Sequence, residues 1–581
     1  MTSLALLASV VHVQQSRALD NILEPDQQQT PLQIYKRWKK LHDQLSSAIG
    51  DYADTCAALA TVASIVDQST IENVFAGFDQ DLHCLVENER KLTTTRQLLR
   101  VLRNRIPSLC SIGILPDEIL GYIFELASVP CVRSNPKGRA QPHIIVCPEL
   151  LSSVSTRWRQ VAANTCSLWT HLDLIPTSDP SHKLYNRARI WLRRTKSAPL
   201  HVHIYQRNCA KREEVEQLTG FLALLMRNLH TLHIEADCYT TEVFETVLGC
   251  CIELGRPGSI KSLILRRPNS GTPLDHPGTH PAAEQLLDNL QKQRSYKHMN
   301  QFLSSLRNLR LHNVCIGQGM ATLRELSELH LEAFPARAVL TISQLTATLR
   351  ASPGIRSLKV GHTSMLDDLK RGEDCTEPIH LGKLECLSLL EAELPVLKWL
   401  LALIVPGKSP LSMSMKLYEQ ESILTELQSF FDRSTISTLY LDAGQQTWVP
   451  VLFGYMPHLR SLAVRSYHLS RNSFPKLSPE EVSSVRAPRL ECLYFMGCRV
   501  GMRPLRNIIA AHSSTLRSLK LWRTDLYADS LSDVPDLGTD VAGTLSSLVP
   551  QFQRSHKLAD YPLLGWEVSD DFRGHSNIFT P

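Results

Sequence analysis

Three groups of residues could carry chemistry, and each needs a particular scaffold. Ala402-Leu-Ile-Val-Pro-Gly407-Lys408-Ser409 has the spacing of the loosest phosphate-binding loop. Such a loop follows a strand and opens a helix, so that backbone N–H groups can cradle phosphate. Here Leu394 to Val405 has a helical pattern, Pro406 removes one N–H, and Pro410 follows directly. The sequence therefore predicts a helix ending at a Pro-Gly turn and no nucleotide site. The chain has 22 His but no His-Glu-x-x-His, and no His pair with a Cys or acid at ligand spacing, so no metal ligand is assigned. His201 and His203 fall on one face of a possible strand and read as surface residues. Lys36, Arg37, Lys39 and Lys40, and Arg187, Arg189, Arg193 and Arg194, alternate with apolar helix positions and read as solvated helix faces. No Gly-x-Ser-x-Gly elbow occurs, and no carboxylate pair can be placed in a cleft. The reading is of a non-enzyme, with no catalytic residue and no cofactor.

Composition narrows the class. The chain has 581 residues, 43% of them hydrophobic, which excludes disorder throughout. With 62 Lys+Arg against 57 Asp+Glu the net charge is +5, small for a nucleic-acid-binding design. No run of 18 uncharged apolar residues occurs, so neither a membrane nor nucleic acid is expected as a partner. The 15 Cys are scattered and form no Cys-x-x-Cys, which fits a reducing compartment, cytoplasm or nucleus. Leu4 to Val13 is apolar but has no preceding Lys or Arg, and reads as a docking helix, not a secretion signal.

The elements follow from periodicity. Residues 1–75 form an N-terminal helical segment, with Ile34, Trp38, Leu41 and Leu45 on one face. Over 76–110 the residues Phe78, Leu85, Leu92, Leu99 and Ile106 recur every seven, but the companion positions Leu82, Glu89, Arg96 and Arg103 are mostly charged. One apolar position per heptad predicts a single amphipathic helix packed on its own chain and not a dimer seam. Ile114 to Ala127 predicts a helix with Pro116 at its start and Asp117 and Glu118 in the first turn. After a Pro/Gly/basic loop, Leu150, Leu151, Val154, Trp158 and Val161 give a second helical face.

From about residue 173 to 531 the signal is a repeat of the form apolar-x-x-apolar-x-apolar. It runs from Leu229/Leu232/Ile234 through Ile260/Leu263/Leu265, Leu306/Leu309/Leu311, Leu326/Leu329/Leu331 and Ile355/Leu358/Val360. It continues through Leu384/Leu387/Leu389, Ile436/Leu439/Leu441, Leu459/Leu462/Val464, Leu490/Leu493/Phe495 and Leu516/Leu519/Leu521, with weaker copies at Trp169/Leu172/Leu174 and Pro199/Val202/Ile204. Helical faces such as Val215/Leu218/Leu222/Leu225 lie between them. A short strand and a helix that cannot bury their apolar faces alone, repeated many times, predict a leucine-rich-repeat-like β/α solenoid. The usual Asn or Cys eight residues after the first Leu is met only at Cys498, and the copies are interrupted near 266–302 and 390–435. Residues 532–581 match no template and are read as a C-terminal tail.

Residues 112–172 resemble an F-box. The family pattern Leu-Pro-x-Glu-[Ile/Leu]-Leu-x-x-Ile-Phe is matched by Leu115-Pro116-Asp117-Glu118-Ile119-Leu120-Gly121-Tyr122-Ile123-Phe124, and the later Val-x-x-x-Trp by Val154 to Trp158, with Trp169 beyond. The order, the upstream heptads and the repeats are similar to the large F-box family of mushroom-forming (basidiomycete) fungi. The departure is the 131–149 loop, longer and more basic than the commonest form. The resemblance implies an α/β protein in which an N-terminal helical segment and a small all-α F-box precede the solenoid. It implies a non-catalytic substrate receptor of a Skp–cullin–F-box ubiquitin ligase. The family's adaptor-facing positions fall here on Leu115, Pro116, Ile119, Leu120, Ile123, Phe124, Val154 and Trp158. The partners implied are a Skp-type adaptor, through it a cullin, and a target protein the sequence does not identify. The alternative reading is a stand-alone repeat scaffold whose F-box is degenerate.

Overall fold

The computed structural model describes residues 30–63, 78–105, 111–128, 148–179, 181–206, 210–236, 242–267, 296–332, 340–361, 365–366, 377–390, 392–416, 423–442, 456–466, 468–469, 489–527 and 541–556. The chain divides into two units, Met1–Leu115 and Pro116–Pro581. No described helix is long and apolar enough to cross a membrane.

The first unit contains two long helices, α1 (Pro31–Ala63) and α2 (Phe78–Arg105), and a 3₁₀ turn at Ser111–Ile114. Among the described side chains, the α2 stripe is not covered as the heptad spacing suggested. Leu82, Leu85, Leu92 and Leu99 are all exposed, the least of them at 37%.

The second unit opens with helices α3 (Asp117–Ala127), α4 (Pro148–Val154) and α5 (Thr156–Asn164), followed by a 3₁₀ turn at Cys166–Trp169. Then comes a single parallel sheet of fourteen strands in which spatial order follows chain order. The strands are β1 (His171–Leu174), β2 (Leu200–Gln206), β3 (Leu229–Ala236), β4 (Ser262–Arg266), β5 (Asn308–His312), β6 (Glu328–Glu332) and β7 (Ser357–Gly361). They continue as β8 (Cys386–Leu389), β9 (Leu411–Lys416), β10 (Ile436–Asp442), β11 (Ser461–Arg465), β12 (Cys492–Met496), β13 (Ser518–Trp522) and β14 (Gln551–Ser555). Parallel neighbours need a crossover, and helices such as Arg212–Ala223 and Met502–Ala511 supply it.

The repeat pattern is the register. Leu172, Val202, Leu232, Leu263, Leu309, Leu329 and Leu358 are successive ladder partners. The row runs on through Leu387, Met413, Leu439, Leu462, Leu493, Leu519 and Phe552. All of these but Phe552 are buried, and the helical residues Val215, Leu218, Leu222, Leu225, Leu427, Phe430 and Leu505 are buried with them. The array is longer than the sequence pattern showed. β9 lies in the supposed 390–435 interruption, where Pro410 takes the first apolar position and Met413 and Met415 the others. At the far end Val541–Leu548 and β14 continue the array into the segment read as tail.

A turn device recurs at strand ends. Asn313, Ser466, Gly497 and Arg523 each follow a strand with φ between +47° and +59°. Each donates its N–H to the last carbonyl of the next strand, at 2.9–3.0 Å. Cys498 Sγ then donates to the Val464 and Met496 carbonyls, and Thr524 Oγ1 to those of Phe495 and Trp522. Thr524 thus takes the role expected only of Cys498.

Candidate functional site

Local sequence builds the α3–α5 module directly. Pro116 is the residue before α3, its φ of −55° preset, and Asp117 and Glu118 occupy the first turn. Ser155 caps α5 by accepting from the Trp158 N–H at 3.1 Å. Gly121 lets α3 approach α5, since a Cβ there would meet Thr165 Oγ1 at 3.1 Å. Phe124 and Trp158 pack ring to ring at 4.8 Å, and Trp169 Nε1 donates to the Ala162 carbonyl at 2.7 Å. Arg157 Nε and Nη2 donate to Asp117 Oδ1 at 2.9 and 2.7 Å, pinning α5 to the start of α3. Ser167 is held by Glu125 near the end of α3.

The helix α3 is apolar on two faces, and its module covers only one. Leu120, Gly121 and Phe124 are buried against α5 and the Trp169 turn. Ile119, Tyr122 and Leu126, at i, i+3 and i+7, form a stripe 48–59% exposed. On α4, Leu151 is buried while Leu150 and Val154, one turn apart, are exposed. Nine large apolar side chains are exposed among the described residues from Pro116 onward, and five are these. The other four, Ile190, Leu224, Leu254 and Leu548, are scattered.

The eight positions read from sequence therefore separate into three sets. Pro116, Ile119 and Val154 are exposed. Leu115, Ile123 and Trp158 are half-buried. Leu120 and Phe124 are core residues, at 0% and 1% exposure, and act from beneath the surface. Tyr122, Leu126 and Leu150 join the exposed set; the sequence reading placed Leu150 on a helical face but assigned none of the three to the adaptor, because they lie outside the family pattern.

The module is welded to the repeat array. Glu149 Oε1 accepts from Arg187 Nε at 3.1 Å and from Trp191 Nε1 at 2.8 Å, both on α6 (Lys183–Thr195). Trp191 meets Trp169 edge-on at 5.5 Å. Arg187 lies over the Trp191 ring and Arg194 over the Trp169 ring, each at 4.1 Å. Two of the four arginines read as a solvated face are thus part of a cation–π clamp.

Elsewhere the structure settles how two other groups are placed. Gly407-Lys408-Ser409 forms a turn between the strand Ile404–Pro406 and β9, with the helix Leu394–Leu403 ahead of it and none directly after. The segment follows a strand, as a phosphate cradle does, but leads into another strand and not a helix; the helix expected to run through Val405 ends at Leu403, and the strand Ile404–Pro406 takes its last residues. Gly407 is explained by packing, because a Cβ there would run into the Gly382 carbonyl. On β1–β3, by contrast, histidine and carboxylate side chains converge on one face, as His171/Asp173/His203 and as His203/His233/Glu235. The expectation that His201 and His203 are surface residues fails for His203, which is buried. His233 and Glu235 lie two apart on one strand, but the pairing of His233 with His203 of the preceding repeat is set by the ladder and leaves no local spacing to read.

Comparison of the chain with protein-family models yields no match, and comparison with curated proteins yields none.

Proposed function

We propose that this protein is the non-catalytic substrate-recognition subunit of a Skp–cullin–F-box ubiquitin ligase. In this reading the α3–α5 module docks a Skp-type adaptor and the repeat array holds the target protein. The observation that carries it is the second apolar stripe of Ile119, Tyr122 and Leu126, with Leu150 and Val154. A well-packed module with its own buried core keeps a further set of large apolar side chains in solvent, and such a patch marks a partner surface. Helix-in-groove docking uses i, i+3 and i+7 anchors of this kind. Leu120, Phe124 and Trp158 hold the stripe in place, and the Glu149/Trp191 clamp fixes its orientation toward the array. The chain contributes proximity and orientation, and the ubiquitin transfer itself belongs to other subunits.

The test is co-purification of the full chain with a Skp adaptor from its own organism. Ile119→Glu with Val154→Glu should abolish capture while circular dichroism stays unchanged. Wild-type chain that is folded and captures no adaptor would turn the reading to a stand-alone repeat scaffold.

A further inference from the structure

Five ionisable side chains from three successive repeats share the face of β1–β3 opposite the Leu172/Val202/Leu232 row. Asp173, His203 and His233 are ladder partners in one row, and His171 and Glu235 stand two residues along on β1 and β3. His203, His233 and Glu235 each offer one ligand atom, and these atoms lie within 4.8 Å of one another. The imidazoles of His203 and His233 stack with centroids 4.3 Å apart and planes 17° apart.

Two polar atoms in this group are left unmet. His233 Nε2 and Glu235 Oε2 are both buried with no hydrogen-bond partner. Arg266 Nη1 stands 3.9 Å from Glu235 Oε2, beyond hydrogen-bond reach. A buried acceptor without a partner costs free energy, and a buried carboxylate costs more than a neutral group. A cation between the two would satisfy both.

Asp173 supplies the orientation. Its Oδ1 lies 3.3 Å from His203 Nδ1 and 3.1 Å from His171 Nε2. A carboxylate oxygen that accepts from His203 Nδ1 leaves Nε2 as the nitrogen for coordination.

We propose that His203, His233 and Glu235 bind one divalent transition-metal ion of the Zn²⁺ class, with Asp173 as the positioning residue for His203. Two imidazoles and one carboxylate suit Zn²⁺, whereas Mg²⁺ and Ca²⁺ call for oxygen ligands. Three protein ligands leave a fourth position for water or a group from a bound protein. The site is independent of the adaptor reading, since it lies on the sheet and not on the α3–α5 module.

The test uses the full chain, stripped with a chelator. ZnCl₂ is titrated in competition with a chromophoric chelator, and CoCl₂ binding is followed by visible absorption. The expected result is a single equivalent of Zn²⁺ and Co²⁺ bands of a four-coordinate site without thiolate charge transfer. His233→Gln and Glu235→Gln should each remove that equivalent. Asp173→Asn should weaken it about 10- to 100-fold, and His330→Gln, farther along the same face, should leave it unchanged. Circular dichroism checks folding, and Glu235→Gln, which keeps the side chain's size, decides the matter if His233→Gln does not fold. The proposal is overturned if wild-type chain binds no stoichiometric Zn²⁺, if a thiolate band shows that cysteines hold the metal, or if binding survives in the folded variants.

Discussion

Ile119 and Leu120 are neighbours in sequence and opposite in role. Leu120→Ala and Phe124→Ala should each cost about 2–5 kcal/mol in urea denaturation, because both open cavities in a filled core. Ile119→Ala and Val154→Ala should change stability by about 0.5 kcal/mol or less, as at surface sites. The sequence could not separate these two groups. Four apolar types in six positions surround most of the helix, so periodicity alone leaves the buried side undefined; Gly121, which marks the close approach to α5, is the one local clue. Lys408→Ala should likewise stay within about 0.5 kcal/mol and leave nucleotide binding absent. That much was legible from Pro406 and Pro410. The histidines were not, since only the ladder places His203 beside His233.

At the scale of the element, the apolar spacing specified the strand register along most of the array. The structure aligns Leu232, Leu263, Leu309 and their successors without a slip at that row. Leu462→Ala and Leu493→Ala should each cost about 2–5 kcal/mol by chemical denaturation, with loss spreading to adjoining repeats. What spacing hid was β9, where proline and methionine replace leucine, and the terminal β14, whose central apolar residue is Phe552. The strand-end turn adds a test of backbone geometry. Gly497 has φ +59°, and a methyl group added there would meet nothing within 4 Å, so only the backbone conformation is at stake. Gly497→Ala should cost about 1–2 kcal/mol for a left-handed non-glycine residue, read as a shift in the denaturation midpoint.

For the whole molecule, buried titratable groups on the sheet face opposite the leucine row couple stability to pH. Burial holds His330 well below the ordinary imidazole range, with Lys359 and Arg310 acting the same way and Glu332 against; its Nε2 is 2.9 Å from Ser357 Oγ. In the unfolded chain its pKa is about 6.5. Below that pH the unfolded chain takes up a proton that the folded chain does not, so stability falls as pH is lowered. The expected slope from this one residue is about 1.4 kcal/mol per pH unit, and denaturation of His330→Gln at pH 7 and at pH 5 should show a smaller difference than wild type. The Glu149/Trp191 clamp adds a second global property. Trp191→Ala should cost about 3–5 kcal/mol and, in calorimetry, let the α3–α5 module melt ahead of the repeats.

A sheet built by adding one parallel strand per repeat has an outer edge. Among the described residues β14 pairs only with β13, and its sequence is Gln551-Phe-Gln-Arg-Ser555, largely exposed. Open ladders recruit other chains, and charged or polar edge residues discourage that. Arg554, whose Nη2 lies 3.5 Å from the Thr524 carbonyl, and Gln553 are edge residues of that discouraging kind. Replacing Gln553 and Arg554 with Val should leave the monomer folded yet produce concentration-dependent, thioflavin-positive aggregates, a colloidal fault with no counterpart in the thermodynamics of the single chain.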